Sequence, residues 1–345
     1  MLKPKRLKKG DRIAALSSSA GLAGLLPYRY NIGKKQLQDE FDIELVEMKH
    51  TLKDPEWTKR NPQARAEDLM DAFADPTIDG IISAIGGDDS IRMAKYVDID
   101  IISNNPKAYI GYSDSTVSHL LCFKAGLTSF YGPSILANFA ENQGLIPYFA
   151  TQFRQTLFSA VPPGEIIDPE FWTAEYLDWF NPENQMIKRN LLPNAGKQVI
   201  QGTKTVNGHL LGGCIQVFTM LLGTDLWPNP ESWKGAILFI EISESELSQS
   251  TFKYILRNLG YQGIFELVNG IIFGRPGGQR SEQECRQYEK ALLEIVSDEF
   301  NCNDLPILSN MSFGHTDPVF IIPYGVMAEI NCLENKFIIL EAGVH

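Results

Sequence analysis

The stretch Lys107-Ala-Tyr-Ile-Gly-Tyr-Ser-Asp-Ser-Thr-Val-Ser-His119 decides the fold. Its first half, Ala108–Tyr112, is short and apolar enough to be a buried strand. Val117, Leu120, Leu121 and Lys124 follow on one helical face, and Gly126 is a natural stop. A strand that passes into a helix through one serine is a unit of an open α/β sheet, where ligands bind beyond the carboxyl ends of the strands. Ser113 would present its hydroxyl outward, and the amides after it would belong to a helix N-terminus able to stabilise an anion. That is the geometry of a nucleophile elbow, although Ser115 stands where the G-x-S-x-G pattern has glycine. The same residues also fit a plain helix cap at Ser113 or Asp114.

Outward from this unit the pattern repeats. Strand-like runs at Arg12–Ser17, Ile43–Met48, Gly80–Ile85 and from Ser129 alternate with helical segments. Those segments are 28–39, a run opened by Asn61-Pro62 with Ala66, Leu69, Met70 and Phe73 in phase, and Ser90–Val97. Alternation at this spacing predicts a parallel sheet covered on both faces. Residues 161–207 break the pattern with five prolines and a dense aromatic group, Trp172, Tyr176, Trp179 and Phe180. Beyond them, Ala236–Ile242, Gly270–Phe273, Val319–Ile322, Met327–Ile330 and Lys336–Leu340 read as strands, the last three spaced like antiparallel hairpins. Helical runs at 214–223 and 282–297 accompany them. The expectation is an α/β N-terminal domain over 1–160, a Pro-rich aromatic crossing over 161–200, and an α+β C-terminal domain with its own sheet over 201–345.

Composition narrows the function. The 345 residues are 44% hydrophobic and 21% charged, which excludes disorder and fibrous classes. Lys and Arg total 31 against 42 Asp and Glu, a net charge of −11 that disfavours nucleic acid and anionic membranes as partners. The basic head (Lys3, Lys5, Arg6, Lys8, Lys9) before an apolar run imitates a signal peptide. Asp11, Arg12 and Ser17-Ser18-Ser19 interrupt that run, so a buried first strand and a loop are expected instead. No apolar stretch reaches the ~18 residues of a membrane helix. Five cysteines without a C-x-x-C pair fit reduced thiols in the cytoplasm, and the sparse histidines suggest neither a metal nor another cofactor.

A serine nucleophile needs a base, and the base an orienting acid. Of the five histidines, His345 is terminal, His50 follows a strand, and His119 faces away from the start of its helix. His209 and His315 remain, and His315 lies in the Gly- and Pro-punctuated loop Asn310-Met-Ser-Phe-Gly-His-Thr-Asp-Pro318. Glu241 ends an otherwise apolar strand, where a carboxylate is costly to bury unpaired. The order Ser113, Glu241, His315 is nucleophile, acid, base. Ala84-Ile-Gly-Gly-Asp-Asp-Ser90 places Gly86 and Gly87 at a strand end, where their amides could complete an oxyanion hole, approach a nucleotide as in a kinase, or simply turn the chain.

Taken together these motifs resemble the LD-carboxypeptidases and the related microcin C immunity peptidases. The resemblance runs through Lys8–Ala14, Ser83–Gly87, Ile110–Asp114, Asn207–Gly213, Ile237–Glu241, Gly274–Pro276 and Gly314-His315. It implies a flavodoxin-like N-terminal domain, a cytoplasmic metal-free homodimer, a Ser113–Glu241–His315 triad, and an oxyanion hole from the amides of Gly87 (or Gly86) and Asp114. It also implies a small peptide or a peptidyl- or aminoacyl-nucleotide as substrate. Phe171–Trp179 is similar to the aromatic insertion of the immunity branch, so Trp172 and Trp179 are candidates to meet a nucleobase, with Gln216 as a further substrate contact. The alternative substrate is a murein tetrapeptide losing D-Ala; a nucleotide kinase or a non-catalytic ligand sensor would be the readings from other classes. Two departures stand out: Cys214 replaces the asparagine that many relatives carry after the paired glycines, and Ser243-Glu-Ser-Glu-Leu247 is acidic where the immunity branch has a lysine.

Overall fold

The computed structural model describes all 345 residues. The first half supplies β1 (Arg12–Leu16), β2 (Glu44–Glu47), β3 (Gly80–Ser83), β4 (Ala108–Gly111) and β5 (Phe130–Tyr131). The crossing holds β6 (Gly164–Glu165), β7 (Phe171–Trp172) and β8 (Leu192–Pro193). The second half supplies β9 (Gln198–Gln201), β10 (Thr205–Cys214), β11 (Ile237–Glu241), β12 (Gly270–Gly274), β13 (Ile307–Met311), β14 (Ile322–Pro323), β15 (Met327–Asn331) and β16 (Lys336–Ile339). One sheet runs β14-β5-β4-β3-β1-β2 and a second runs β6-β16-β15-β10-β11-β12-β13-β9. The fold is thus α/β, with a parallel-rich N-terminal sheet and a separate mixed C-terminal sheet.

The physical basis of the first sheet is burial on both faces. Every residue of β3 and β4 is buried, as continuous apolar runs demand of parallel strands flanked by helices. Pro27–Phe41 and Pro62–Ala74 form two of the covering helices, each with proline in its first turn. The segment 90–97 forms only the single turn Ile91–Ala94.

Three further features differ from the sequence expectation. β10 was hidden because Asn207 and its three glycines have low strand propensity. Its first half pairs antiparallel with β15 and its second half parallel with β11, so tertiary pairing fixes it. β13 is likewise an added parallel strand beside β12. The run Val319–Ile322 does not build a hairpin in the second sheet; Ile322–Pro323 instead closes the edge of the first sheet antiparallel to β5. The reason lies in the period of two: Val319 and Ile321 enter the N-terminal core, whereas Phe320 and Ile322 enter the C-terminal one. An all-apolar run cannot reveal that its alternate residues serve different cores.

The two halves are welded at the segment that follows Ser113. Val117, Leu120 and Tyr131 belong to the same continuous core as Leu210, Phe239 and Ile271. The Thr116 hydroxyl donates to the Ser113 carbonyl at 2.7 Å and accepts the Cys214 amide at 3.2 Å. The Tyr324 hydroxyl donates to the Gly212 carbonyl.

Candidate active site

Ser113 leaves β4 with φ of +62°, a left-handed backbone that a non-glycine residue holds only where its surroundings force it. The turn is backed by Gly86: a Cβ there would lie 2.8 Å from the Ser113 Cβ and 3.3 Å from the Asp114 amide nitrogen, so no larger residue fits. The Gly86 carbonyl accepts the Ala20 amide at 3.1 Å. Since C=O and N–H point oppositely across a trans peptide, this turns the Gly87 N–H away from Ala20. The Asp114 carboxylate points inward, accepting the Ser19 hydroxyl at 2.5 Å and the Ser90 amide at 2.8 Å. Burial raises its pKa.

Glu241 ends β11, fully buried. Its Oε2 faces His315 Nδ1 at 2.7 Å, and its Oε1 accepts the Tyr131 hydroxyl at 2.5 Å. That same hydroxyl accepts the Ser113 amide at 3.1 Å. A chain of contacts therefore runs from the Ser113 backbone through Tyr131 and Glu241 to His315, crossing from one sheet to the other. Sequence reasoning missed Tyr131, because a tyrosine ending a buried strand reads as core. Gly314 makes room for this arrangement: with φ of +91°, it lies so close that a Cβ would come 2.8 Å from the Glu241 carboxylate.

Burial opposes a charge on His315, but Glu241, then Glu244 and Asp317, outweigh it and raise the pKa above the usual histidine value. His315 Nε2 does not meet Ser113 Oγ; it faces Glu244 Oε2 at 3.3 Å. The Glu244 side chain is 69% exposed, and its backbone segment is pinned from two sides. Arg280 donates to the Ser243 and Ser245 carbonyls, and Gln216 donates to the Ser243 hydroxyl at 2.8 Å. Hydrogen bonds between groups that react together are often long or misaligned until substrate tightens them, so the Glu244 contact does not part His315 from Ser113 as candidates.

Ser113, His315, Gly86, Gly87 and Glu244 share one cavity of about 640 Å³ with Arg29, Asn138, Asn142, Tyr176 and Trp179. The two tryptophans part company here. Trp179 lines the cavity, with the Arg29 guanidinium 4.3 Å from its ring centre. Trp172 is buried in β7 outside the cavity walls, covered by Arg275 at 4.3 Å. Gln216 does not line the cavity either; it braces Ser243 and Ser245, which do.

The other histidines are engaged locally. His119 is sandwiched between the Ser129 hydroxyl and the Gly111 carbonyl, and burial lowers its pKa to about 3. His209 contacts the Ser232 carbonyl at 2.8 Å, and His50 pairs with Asp68 at 2.9 Å. In the Gly-Gly-Asp-Asp turn, Asp88 lines the cavity while Asp89 is held by Arg65 and Arg92 at 2.7 and 3.0 Å. That pairing gives Asp89 a structural occupation in place of a nucleotide one.

Comparison with known proteins places the geometry in context. Residues 13–132 match the model of the LD-carboxypeptidase N-terminal domain, and residues 207–330 match that of the C-terminal domain. A Vibrio cholerae protein named as a carboxypeptidase is 30% identical over 98% of this chain and 97% of its own length. The microcin C7 self-immunity protein MccF of Escherichia coli is 30% identical over 96% of this chain and 93% of its own. Its structure in complex with aspartyl sulfamoyl adenosine superposes with a TM-score of 0.87 at 28% identity over the whole of both chains. The structure of an MccF-like protein from Streptococcus pneumoniae in complex with AMP also gives 0.87, at 31% identity, covering 96% of this chain and 98% of that one.

Proposed function

The chain belongs to the LD-carboxypeptidase family, a family of peptidases, and from that premise we propose that it is a cytoplasmic serine amidase acting through Ser113, His315 and Glu241. Ser113 Oγ attacks the amide carbonyl as His315 Nε2 takes its proton. The tetrahedral oxyanion is met by the amides of Gly87 and Asp114. His315 returns the proton to the departing amine as the C–N bond breaks, leaving an ester on Ser113. Water then enters by the reverse sequence and releases the acid. Glu241 holds the proton on Nδ1 and stabilises the imidazolium, while Tyr131 fixes the other carboxylate oxygen. Glu244 swings aside as substrate enters.

What supports this reading most is the continuous contact chain Ser113–Tyr131–Glu241–His315 at the wall of a cavity of substrate size. The proposed substrate is an aminoacyl- or peptidyl-nucleotide, with detoxification of a microcin C-like compound as the role. Trp179 in the cavity and the nucleotide-bound relatives favour it. A murein tetrapeptide is the second reading, favoured by the relative named as a carboxypeptidase. We keep the partition at 1–160, 161–200 and 201–345, and a homodimeric assembly, as part of the proposal. Light scattering at micromolar protein tests the dimer.

The deciding experiment is labelling with a fluorophosphonate followed by peptide mapping, alongside kcat/KM for an aspartyl-adenylate analogue and an L,D-tetrapeptide. Modification of Ser113 and loss of turnover in Ser113→Ala by several orders of magnitude are expected. Wild-type turnover in that variant would remove the assignment, and tetrapeptide cleavage without nucleotide-substrate cleavage would reverse the choice of substrate.

A further inference from the structure

Arg29 is the anomaly in the cavity wall. It lies in the first turn of the helix Pro27–Phe41 and is only 7% exposed, yet no carboxylate pairs with it. Its Nε donates to the Leu136 carbonyl at 2.7 Å, and its Nη1 to the amide oxygens of Asn142 and Gln185 at 3.2 and 2.8 Å. Those oxygens face Arg29 because the amide nitrogens are committed elsewhere. Asn142 Nδ2 donates to the Asn184 and Ile187 carbonyls, and Gln185 Nε2 to those of Ala140 and Glu141. The guanidinium is therefore clamped in one orientation by neutral groups, while Nη2 has no protein acceptor. The nearby carboxylates of Glu141 and Asp317 are both taken by Arg189. Burying a cation without a directly paired carboxylate is costly; Glu141 and Asp317 act on Arg29 only from beyond contact, and here the cation is also oriented and lines the cavity that holds Ser113.

We infer that Arg29 is the receptor for an oxyanion on the substrate, with Trp179 beside it as an apolar platform. The inference rests on the amidase reading and names what that site selects. The shared chemistry is a planar guanidinium meeting a phosphate or carboxylate. It would be the phosphate of an aminoacyl-nucleotide in one case and the C-terminal carboxylate of a peptide in the other.

The test uses full-length Ser113→Ala protein, so that binding is read without turnover. Affinity is measured calorimetrically for AMP against adenosine, and for an L,D-tetrapeptide acid against its amide. One pair should show a preference of about tenfold or more for the anion, and the pair that shows it identifies the source. Arg29→Gln should erase that preference while changing affinity for the neutral member by no more than about twofold. Absence of any anion preference overturns the inference, as does a preference that survives Arg29→Gln or an equal loss for charged and neutral ligands. Should the glutamine variant fail to fold, Arg29→Lys keeps the buried charge and loses the fork. Its preference should fall severalfold, and an undiminished preference would overturn the inference. A protein without hydrolytic activity but with Arg29-dependent anion binding leaves this inference standing and removes only the amidase reading.

Discussion

Two tryptophans seven residues apart on the crossing segment each meet an arginine from elsewhere in the chain, and the two pairs do different work. In both, a guanidinium lies 4.3 Å from the ring centre, and in both, burial lowers the arginine pKa to about 10, so each stays charged at neutral pH. Arg275 spends all three nitrogens, on Asn310, Thr316 and Asn194. Arg29 spends two and leaves the third in the cavity. One pair is closed and structural; the other is open and available to a ligand. The residue types do not distinguish them, and the count of unused donors does.

The largest expected effect sharpens the comparison by separating chemistry from binding. Ser113→Ala and His315→Ala should each lower kcat/KM by several orders of magnitude, and the double variant should be scarcely worse, because such groups act as a unit. AMP affinity at the open pair should survive Ser113→Ala. Losses that multiply in the double variant would place His315 outside the proposed triad.

Next come the tryptophans themselves. Trp172→Ala opens a void in the closed pair and should cost about 3–5 kcal/mol of stability, read as a lowered Tm or denaturation midpoint. Its kcat/KM per folded molecule should change little. Trp179→Ala should do the reverse, leaving Tm nearly constant while costing about 1–3 kcal/mol in recognition of a nucleotide substrate. A matching pattern in the two variants would break the distinction.

A smaller effect concerns pH. The base must be neutral to act, so kcat/KM should rise with pH through an apparent pKa above the ordinary histidine value of about 6.5. Glu244→Gln removes one of the charges that raise this pKa and should move the acid limb to lower pH; a limb that does not move would show that the Glu244 contact carries no weight. The linkage to stability has the matching sign. Folding raises the His315 pKa, so its ion pairs contribute fully below the unfolded value and are lost as pH rises through the folded one. The smallest effect is the control: His209→Ala, with its ring on the Ser232 carbonyl outside the cavity, should retain most activity.

Much of this was legible in the residues. The N-terminal alternation is readable because each parallel strand is apolar on both faces and the turns carry their own punctuation. Ser113, Glu241 and His315 could be singled out because each breaks its context: a serine at a strand end, a carboxylate closing an apolar strand, a histidine in a glycine loop. Tyr131, Arg29 and Glu244 break nothing locally. Tyrosine belongs in a buried strand, and arginine on a helix and glutamate in an acidic loop read as surface. Only the approach of distant segments makes them partners. β10, and the partner of β14 though not its strand character, escaped for the same reason, since pairing with remote strands overrides weak or ambiguous local preference.

The edge strand β14 has a consequence for how this molecule is made. The ribosome delivers Ser113 first, then Glu241, and after both the loop of His315 and the two residues that seal β5 beside Tyr131. On the proposed triad, the growing chain carries its nucleophile turn without a base to activate it until the segment of His315 has followed. Chain order would then act as a safety catch, released when β14 folds back onto β5.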